Sequence, residues 1–538
     1  MGRTILATGA PVTAEPFSHT APGAPLIPQE WLSQAALAGS EQLAGLWGVR
    51  ILSAILAWGG GLLIWANARL WGRSRLEAAF LVASIAPALA FLIEPRPHLF
   101  SFVFLVAFLW LTHRPQAPSW RQAWLAAALT MVWVNFHAVG LLAPLVAGGS
   151  FLESLPHRGE PGEAPGRRMA LVFLCALATL ATPSGTALYR YAIQGAGVST
   201  IRIDEWQPFW FRHPPVSWVG WPASIGAVLA GGFALGALAR AARRRDPRNA
   251  LLASGAAFLV FKARRWLWLG FLPVAGGLPR GPWKKNGRKA LLAGTMILAV
   301  LPLFHPRIRK EFQSEEWAHG GASPSIHPVE AVRFLKALGL EGNLYHTYPW
   351  GGYVVHELFP AWKCFIYGET ELFSKAGVLA ERQRVELGPP SEALSILDRR
   401  RVRAILVPHL GRDGKPARPP GGDGPEGIWI RAFSNIHAVV WLRRSDQEAV
   451  HAARAYYRAR NIRWDEPLGF LEHNALLGNL DWARQAEQLA PQSFAAVAPL
   501  VRALKADPAE PRARRLFALA LHQARFERSA RAFEAGGR

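Results

Sequence analysis

The residues best suited to chemistry in this sequence are cations placed next to apolar runs. Arg96 and His98 stand in Glu94-Pro95-Arg96-Pro97-His98, between an apolar run from Leu76 to Ile93 and another from Leu99 to Thr112. Each run is about long enough to cross most of a hydrocarbon core, so the turn between them belongs at a membrane–water interface. Two readings of Arg96 stand side by side. It either snorkels to lipid headgroups or forms a fixed cation at the mouth of a membrane-embedded site for a lipid-linked phosphate. Lys262, Arg264 and Arg265 form a second cationic group between two short apolar runs.

The elements that must position these groups follow from composition. Of 538 residues 51% are hydrophobic and 18% charged, too apolar over the first 300 or so for a soluble domain, so a polytopic membrane part followed by a soluble part is expected. The net charge of +23 fits Arg and Lys in cytoplasmic loops. Zinc spacing, a Walker sequence and RNA-binding signatures are absent, so nucleic acid is not an expected partner. The two cysteines, Cys175 in an apolar run and Cys364 in the soluble part, predict no disulfide.

Residues 1–44 are polar and rich in Pro and Gly, ending in a short amphipathic helix to about Leu43. About ten apolar segments then fill residues 45–305, several shorter than the ~20 residues of a full span. Loops 240–248, with five Arg, and 280–289, with five basic residues, orient them with the basic side in the cytoplasm. Residues 1–44, the Arg96 turn, Asn135-Phe136-His137, loop 184–216 and the Lys262 group then fall outside, together with everything after 305. Cations at 262–265 oppose that bias. Either a span boundary lies elsewhere, or these side chains line a phosphate site with Arg96.

Residues 306–445 read as a small periplasmic α/β domain. Asn343–His346, Lys363–Tyr367, Val402–Val407 and His437–Leu442 read as strands, with helical stretches at 375–386 and 391–400 and a flexible loop from Gly411 to Gly427. Residues 446–538 carry helical periodicity alone. Ala513, Leu516 and Leu519, then Phe526, Ala530 and Phe533, have the small/large spacing of a tetratricopeptide (TPR)-like hairpin, equally readable as plain packing helices.

A series of short motifs then carries a resemblance. It comprises Pro16-Phe17-Ser18-His19-Thr20, Glu30-Trp31-Leu32-Ser33-Gln34, Arg96-Pro97-His98-Leu99-Phe100, Trp133-x-Asn135-x-His137, Pro183-x-Gly185-x-x-Leu188-Tyr189, Glu205-Trp206-Gln207-Pro208 and Trp350-Gly351-Gly352-Tyr353. Over roughly residues 3 to 442 the chain resembles a family of bacterial multi-pass proteins similar to GT-C class polyprenol-dependent glycosyltransferases. The resemblance implies a mainly α polytopic bundle of GT-C type in the bacterial inner membrane. Family members carry one more transmembrane helix and an acidic residue with a Trp-His pair before the position of Gly2. The chain is therefore expected to be truncated at its start, lacking the first of ~11 spans and leaving an apolar groove beside the 45–66 and 77–93 helices. Tyr367-Gly368-Glu369 stands where the family favours Asp-Gly-Arg.

What the resemblance implies chemically is sugar transfer from a polyprenyl-phosphate donor to a cell-envelope acceptor on the periplasmic side. An outer carboxylate would accept the acceptor's proton, with Glu30 ranked first and Glu15 behind it. Each has a bland counterpart, Glu30 as a helix-start carboxylate complementing the dipole. Arg96, Lys262, Arg264, Arg265 and His98 would hold the phosphate, Arg by its two-pronged fork. Asn135, His137, Glu205 and Trp206 would hold substrate. The lipid-linked sugar is a donor substrate rather than a cofactor, no metal ligands are expected, and the class leaves room for a divalent metal. Membrane lipid and a protein partner of the helical tail complete the expected partners. A different class stays open, a non-catalytic membrane scaffold or receptor that binds a partner through its α/β and TPR-like parts.

Overall fold

The computed structural model describes residues 1–89, 95–114, 116–157, 159–160, 162–198, 220–244, 250–262, 269, 285–304, 321–323, 326–409, 411, 417–422, 427–435, 437–464, 469–476, 500, 503–523, 530–532 and 534. The chain divides into two compact units, Met1–Thr13 with Pro25–Gly321, and Ala14–Ala24 with Ala322–Arg538.

The first unit is helical: α1 (Gly2–Thr8), α2 (Trp31–Leu70), α3 (Arg75–Leu89), α4 (Pro97–Thr112), α5 (Trp120–Phe136), α6 (Ala143–Ser154), α7 (Pro165–Ala178), α8 (Ala187–Val198), α9 (Gly220–Arg244), α10 (Ala250–Lys262) and α11 (Lys285–Val300). Local sequence sets several boundaries. Arg96 is the N-cap of α4, with Pro97 at the first helical position, where its missing N–H costs nothing. Ser119 and Gln122 close a capping box at the start of α5. Helix α2 breaks at Ala44 and Gly45, where Gly45 has φ 58° and ψ −151°, a conformation open to glycine. The break separates the amphipathic segment that ends near Leu43 from the apolar one that follows, where the sequence placed that boundary.

Small and aromatic side chains fill the interior. Ala78, Phe102, Phe108, Ala123, Ala126, Trp133, Ala143 and Cys175 are all buried in one cluster. Ala and Gly let helices approach closely, and the α2 backbone at Gly60 leaves room for the Phe102 ring, which an added Cβ would meet at 2.1 Å. The outward faces are apolar as well: Trp47, Ile51, Ile55, Trp58, Leu62 and Trp65 run along one exposed side of α2. A bundle apolar inside and out is suited to lipid. Among the described residues, three helices are long and apolar enough to cross a membrane, Trp31–Leu70, Ala138–His157 and Asn286–Phe304, with shorter apolar helices at Pro97–Thr112, Val228–Ala239 and Ala250–Lys262. These are consistent with a multi-pass membrane protein.

The second unit is built on a five-stranded sheet of order β2-β1-β3-β5-β4, with β1 (Gly342–His346), β2 (Trp362–Cys364), β3 (Val402–Pro408), β4 (Trp429–Ser434) and β5 (Ala438–Arg443). Strands β2, β1 and β3 are parallel, and β5 pairs antiparallel with β3 and β4. Strand β2 is shorter than the expected 363–367, and β4 was not expected at all. Helical packing on the sheet continues past residue 445. In the helix Gln447–Arg458, Tyr457 is buried and its hydroxyl donates to Ala432 O at 2.8 Å, and Asn474 in Gly469–Leu476 donates to Ser434 O at 3.1 Å. Further on, Pro511–Gln523 is helical, and no TPR repeat is evident among the described residues.

Residues 14–24, read from sequence as part of an outer loop, belong to this second unit. Ser18 forms a parallel bridge with Cys364, through Cys364 N–H to Phe17 O at 3.2 Å and His19 N–H to Cys364 O at 3.1 Å. The Thr20 hydroxyl donates to Phe365 O at 2.6 Å and the Arg400 guanidinium to Thr20 O at 3.0 Å. The loop neck closes through Glu15 N–H to Ala24 O and Gly23 N–H to Glu15 O.

Candidate functional site

The helical unit gathers polar side chains from distant stretches at one end of its core. His98 and Ser101 sit in the first turns of α4, three residues apart and so on one face. Trp133 and His137 are four apart at the end of α5, where the chain leaves the helix at His137 with φ −166°. Trp133 Nε1 donates to Ser101 Oγ at 2.9 Å, and Ser101 Oγ lies 2.8 Å from His137 Nδ1. The His98 and His137 rings are 4.7 Å apart, tilted by 58°. Trp133 is fully buried, and Ser101 nearly so.

A second set of bonds ties in the N-terminal segment. Asn135 donates from Nδ2 to Met131 O and Ala181 O, both at 2.8 Å, and accepts from Trp31 Nε1 at 2.8 Å. Buried at the end of α5, it joins α5, the turn after α7 and the start of α2 through one amide. Gln29, two residues before Trp31, donates to the Tyr191 hydroxyl of α8. Glu30 is the N-cap residue of α2, without a capping bond from its side chain, and its Oε1 accepts from Gln34 Nε2 at 3.4 Å.

The residues anticipated from sequence divide among several places. Arg96, exposed at the start of α4, is two residues from His98 of the cluster. Glu30, Asn135 and His137 belong to the same end, through Trp31 and the α5 terminus. Lys262 is exposed at the last residue of α10, its ammonium 5.8 Å from the Phe258 ring centroid. Arg264, Arg265, Glu205 and Trp206 lie outside the described residues. Glu15 lies in the other unit, buried at 2% exposure. Its Oε1 accepts from the Phe17 and Ser18 N–H groups at 2.8 and 2.9 Å, and its Oε2 from the Ser18 hydroxyl at 2.7 Å. A carboxylate so engaged holds a turn. Around it, burial above all pushes the Cys364 thiol and the Tyr367 phenol upward, the Glu15 charge adding to both.

Ser101 was missed from sequence, and Trp133 and Trp31 were seen only as motif letters. The available signal was spacing: Ser101 shares a helix face with His98, and Trp133 with His137. Among the described residues no group of His, Cys, Asp and Glu could hold a metal ion. What this end offers is two imidazoles, two indoles, a hydroxyl, an amide and a nearby guanidinium and carboxylate, a donor-rich end to an apolar bundle. No protein-family model matches the chain, and no curated protein matches it.

Proposed function

We propose that the protein transfers a sugar from a polyprenyl-phosphate donor to a cell-envelope acceptor, on a GT-C-type bundle in the bacterial inner membrane with its α/β unit in the periplasm. One observation carries the reading. Trp31 with Asn135, and Trp133, Ser101, His137 and His98 together, drawn from separate stretches, form two sets of contacts at the end of the bundle, His98 two residues from Arg96. Buried polar networks in an apolar bundle are costly unless satisfied, and in membrane proteins they mark substrate sites. In this reading Arg96 and His98 take the donor phosphate together with Lys262, Arg264 and Arg265. Asn135, Glu205 and Trp206 hold the sugar, and His137 holds the substrate as a neutral donor at its phosphate. Glu30 is the base, since the oxygens of Glu15 are occupied by its own turn.

In the transfer, the acceptor oxygen or nitrogen attacks the anomeric carbon, its proton passes to Glu30, and the polyprenyl phosphate leaves with the bonding electrons. The test is retention of a radiolabelled polyprenyl phosphate by the protein in phospholipid vesicles. Saturable binding is expected, weakened about tenfold or more by Arg96→Ala and also by Arg96→Lys, which keeps the charge and loses the fork. Wild-type protein that retains no more than protein-free vesicles would end this reading.

The scaffold alternative is favoured by Glu15, a carboxylate of the leader that serves its own loop. It predicts no polyprenyl-phosphate binding and an unaffected partner interface after Glu30→Gln.

A further inference from the structure

The contacts around Ser101 fix more than position. A serine hydroxyl has one proton to give and lone pairs to receive. Indole Nε1–H is a donor only, so Trp133 must give its proton to Ser101 Oγ, at 2.9 Å. Among the described residues the hydroxyl has one other partner, His137 Nδ1 at 2.8 Å. Ser101 is 1% exposed, so water is not at hand to take its proton. Were Nδ1 the donor, Ser101 would accept twice and leave its own proton buried and unbonded, the arrangement folded proteins avoid. The Ser101 proton therefore points at Nδ1, and the His137 ring is neutral with its single proton on Nε2.

We propose that Trp133 and Ser101 are positioning residues that lock His137 as the Nε2–H tautomer, making that nitrogen a fixed neutral donor for a phosphate oxygen of the substrate. The donor role rests on the function proposed above, whereas the tautomer lock does not. The end of α5 suits such a role: His137 N–H bonds back to Trp133 O at 2.9 Å, so the residue that aims the ring through Ser101 also anchors its backbone. A neutral donor adds no charge beside Arg96 and needs no reorganisation when phosphate charge develops.

Nitrogen NMR on the full-length protein, labelled with 15N-histidine in phospholipid nanodiscs, reads the tautomer directly, the His137 signals being assigned by their loss in His137→Asn. The expected pattern is an unprotonated Nδ1 and a protonated Nε2. Ser101→Ala and Trp133→Phe should each mix the tautomers, and Ser101→Thr, which keeps the hydroxyl, should restore the wild-type pattern. In the vesicle assay with polyprenyl phosphate, Ser101→Ala should weaken binding about tenfold and Ser101→Thr should not, the loss expected for one misaimed bond to a charged group. A protonated Nδ1 in the wild type, or a pattern unchanged by Ser101→Ala, overturns the lock. The expected tautomers in a protein that binds no polyprenyl phosphate would uphold the lock and overturn both the donor role and the proposed function.

Discussion

Two imidazoles in the α/β unit sit where protonation is unfavourable. Burial lowers His346 from the ordinary 6.5 to about 4, a backbone bond to Thr347 opposing it. Burial also lowers His19, to about 3, with the charges of His346, Arg400 and Lys363 adding to the effect and a backbone bond at Leu344 opposing it. Both are neutral in the folded state and bind protons more readily when unfolded. Their stability contribution is complete above about 6.5 and is lost as pH falls toward 4 and 3. For His346 the loss is about 2 kcal/mol between about pH 7 and 5. Hydrogen-exchange protection of residues 342–346 should fall over that interval, and more shallowly in His346→Gln. At Glu15, substitution by Gln replaces a charged acceptor of several short bonds and should destabilise the unit by about 1–3 kcal/mol, read as earlier exchange of residues 17–20, with polyprenyl-phosphate binding unchanged. Such residues are hard to find from sequence. Glu15 looked like a base because it is an acid in an outer loop, and what occupies its oxygens are backbone groups that every residue has. Ser101 was overlooked inside an apolar run, where its three-residue spacing from His98 was the trace it left.

At the scale of elements, helices were legible where a local pattern encodes them. The break of α2 at Ala44–Gly45 falls where amphipathic periodicity gives way to an apolar run. Glycine is required there, so Gly45→Ala should cost about 1–3 kcal/mol or shift the break. Spin labels at Leu43 and Trp47 would register the change as an altered distance distribution. Strand β4 escaped notice because it follows a Gly/Pro-rich loop and its burial does not alternate cleanly: Trp429, Ala432, Phe433 and Ser434 are all buried. The pairing of residues 16–19 with β2 was illegible for another reason. Its partner lies some 345 residues away, and no local spacing announces a contact that distant. Thr20→Val tests that pairing: it strips the hydroxyl from Phe365 O and should destabilise the sheet edge by about 1–3 kcal/mol, visible as faster exchange of residues 362–364.

For the whole molecule, the membership of residues 14–24 in the C-terminal unit constrains topology. Two segments of one compact fold cannot be separated by a bilayer, so residues 14–24 and 322–538 share a side of the membrane. The chain between them then crosses an even number of times. Reporter fusions at Val12 and at Gly321 should report the same compartment, and the function proposed above requires it to be the periplasm. Opposite signals from the two positions would break the pairing of Ser18 with Cys364 as well as the topology.

That pairing also sets an order of assembly. The strip carrying Phe17 to Thr20 leaves the ribosome some 345 residues ahead of the strand it pairs with, which is made after the intervening helical unit. Through that interval the early strip has no partner and the late sheet has an open edge, the kind of surface that recruits wrong strands. Closing so long a loop adds little entropic cost compared with a shorter one, since that cost grows only with the logarithm of length. Docking therefore requires that the intervening helices have returned the chain to the right side. A nascent chain with one helix wrongly inserted would leave its sheet edge open, exposing misassembly to a protease.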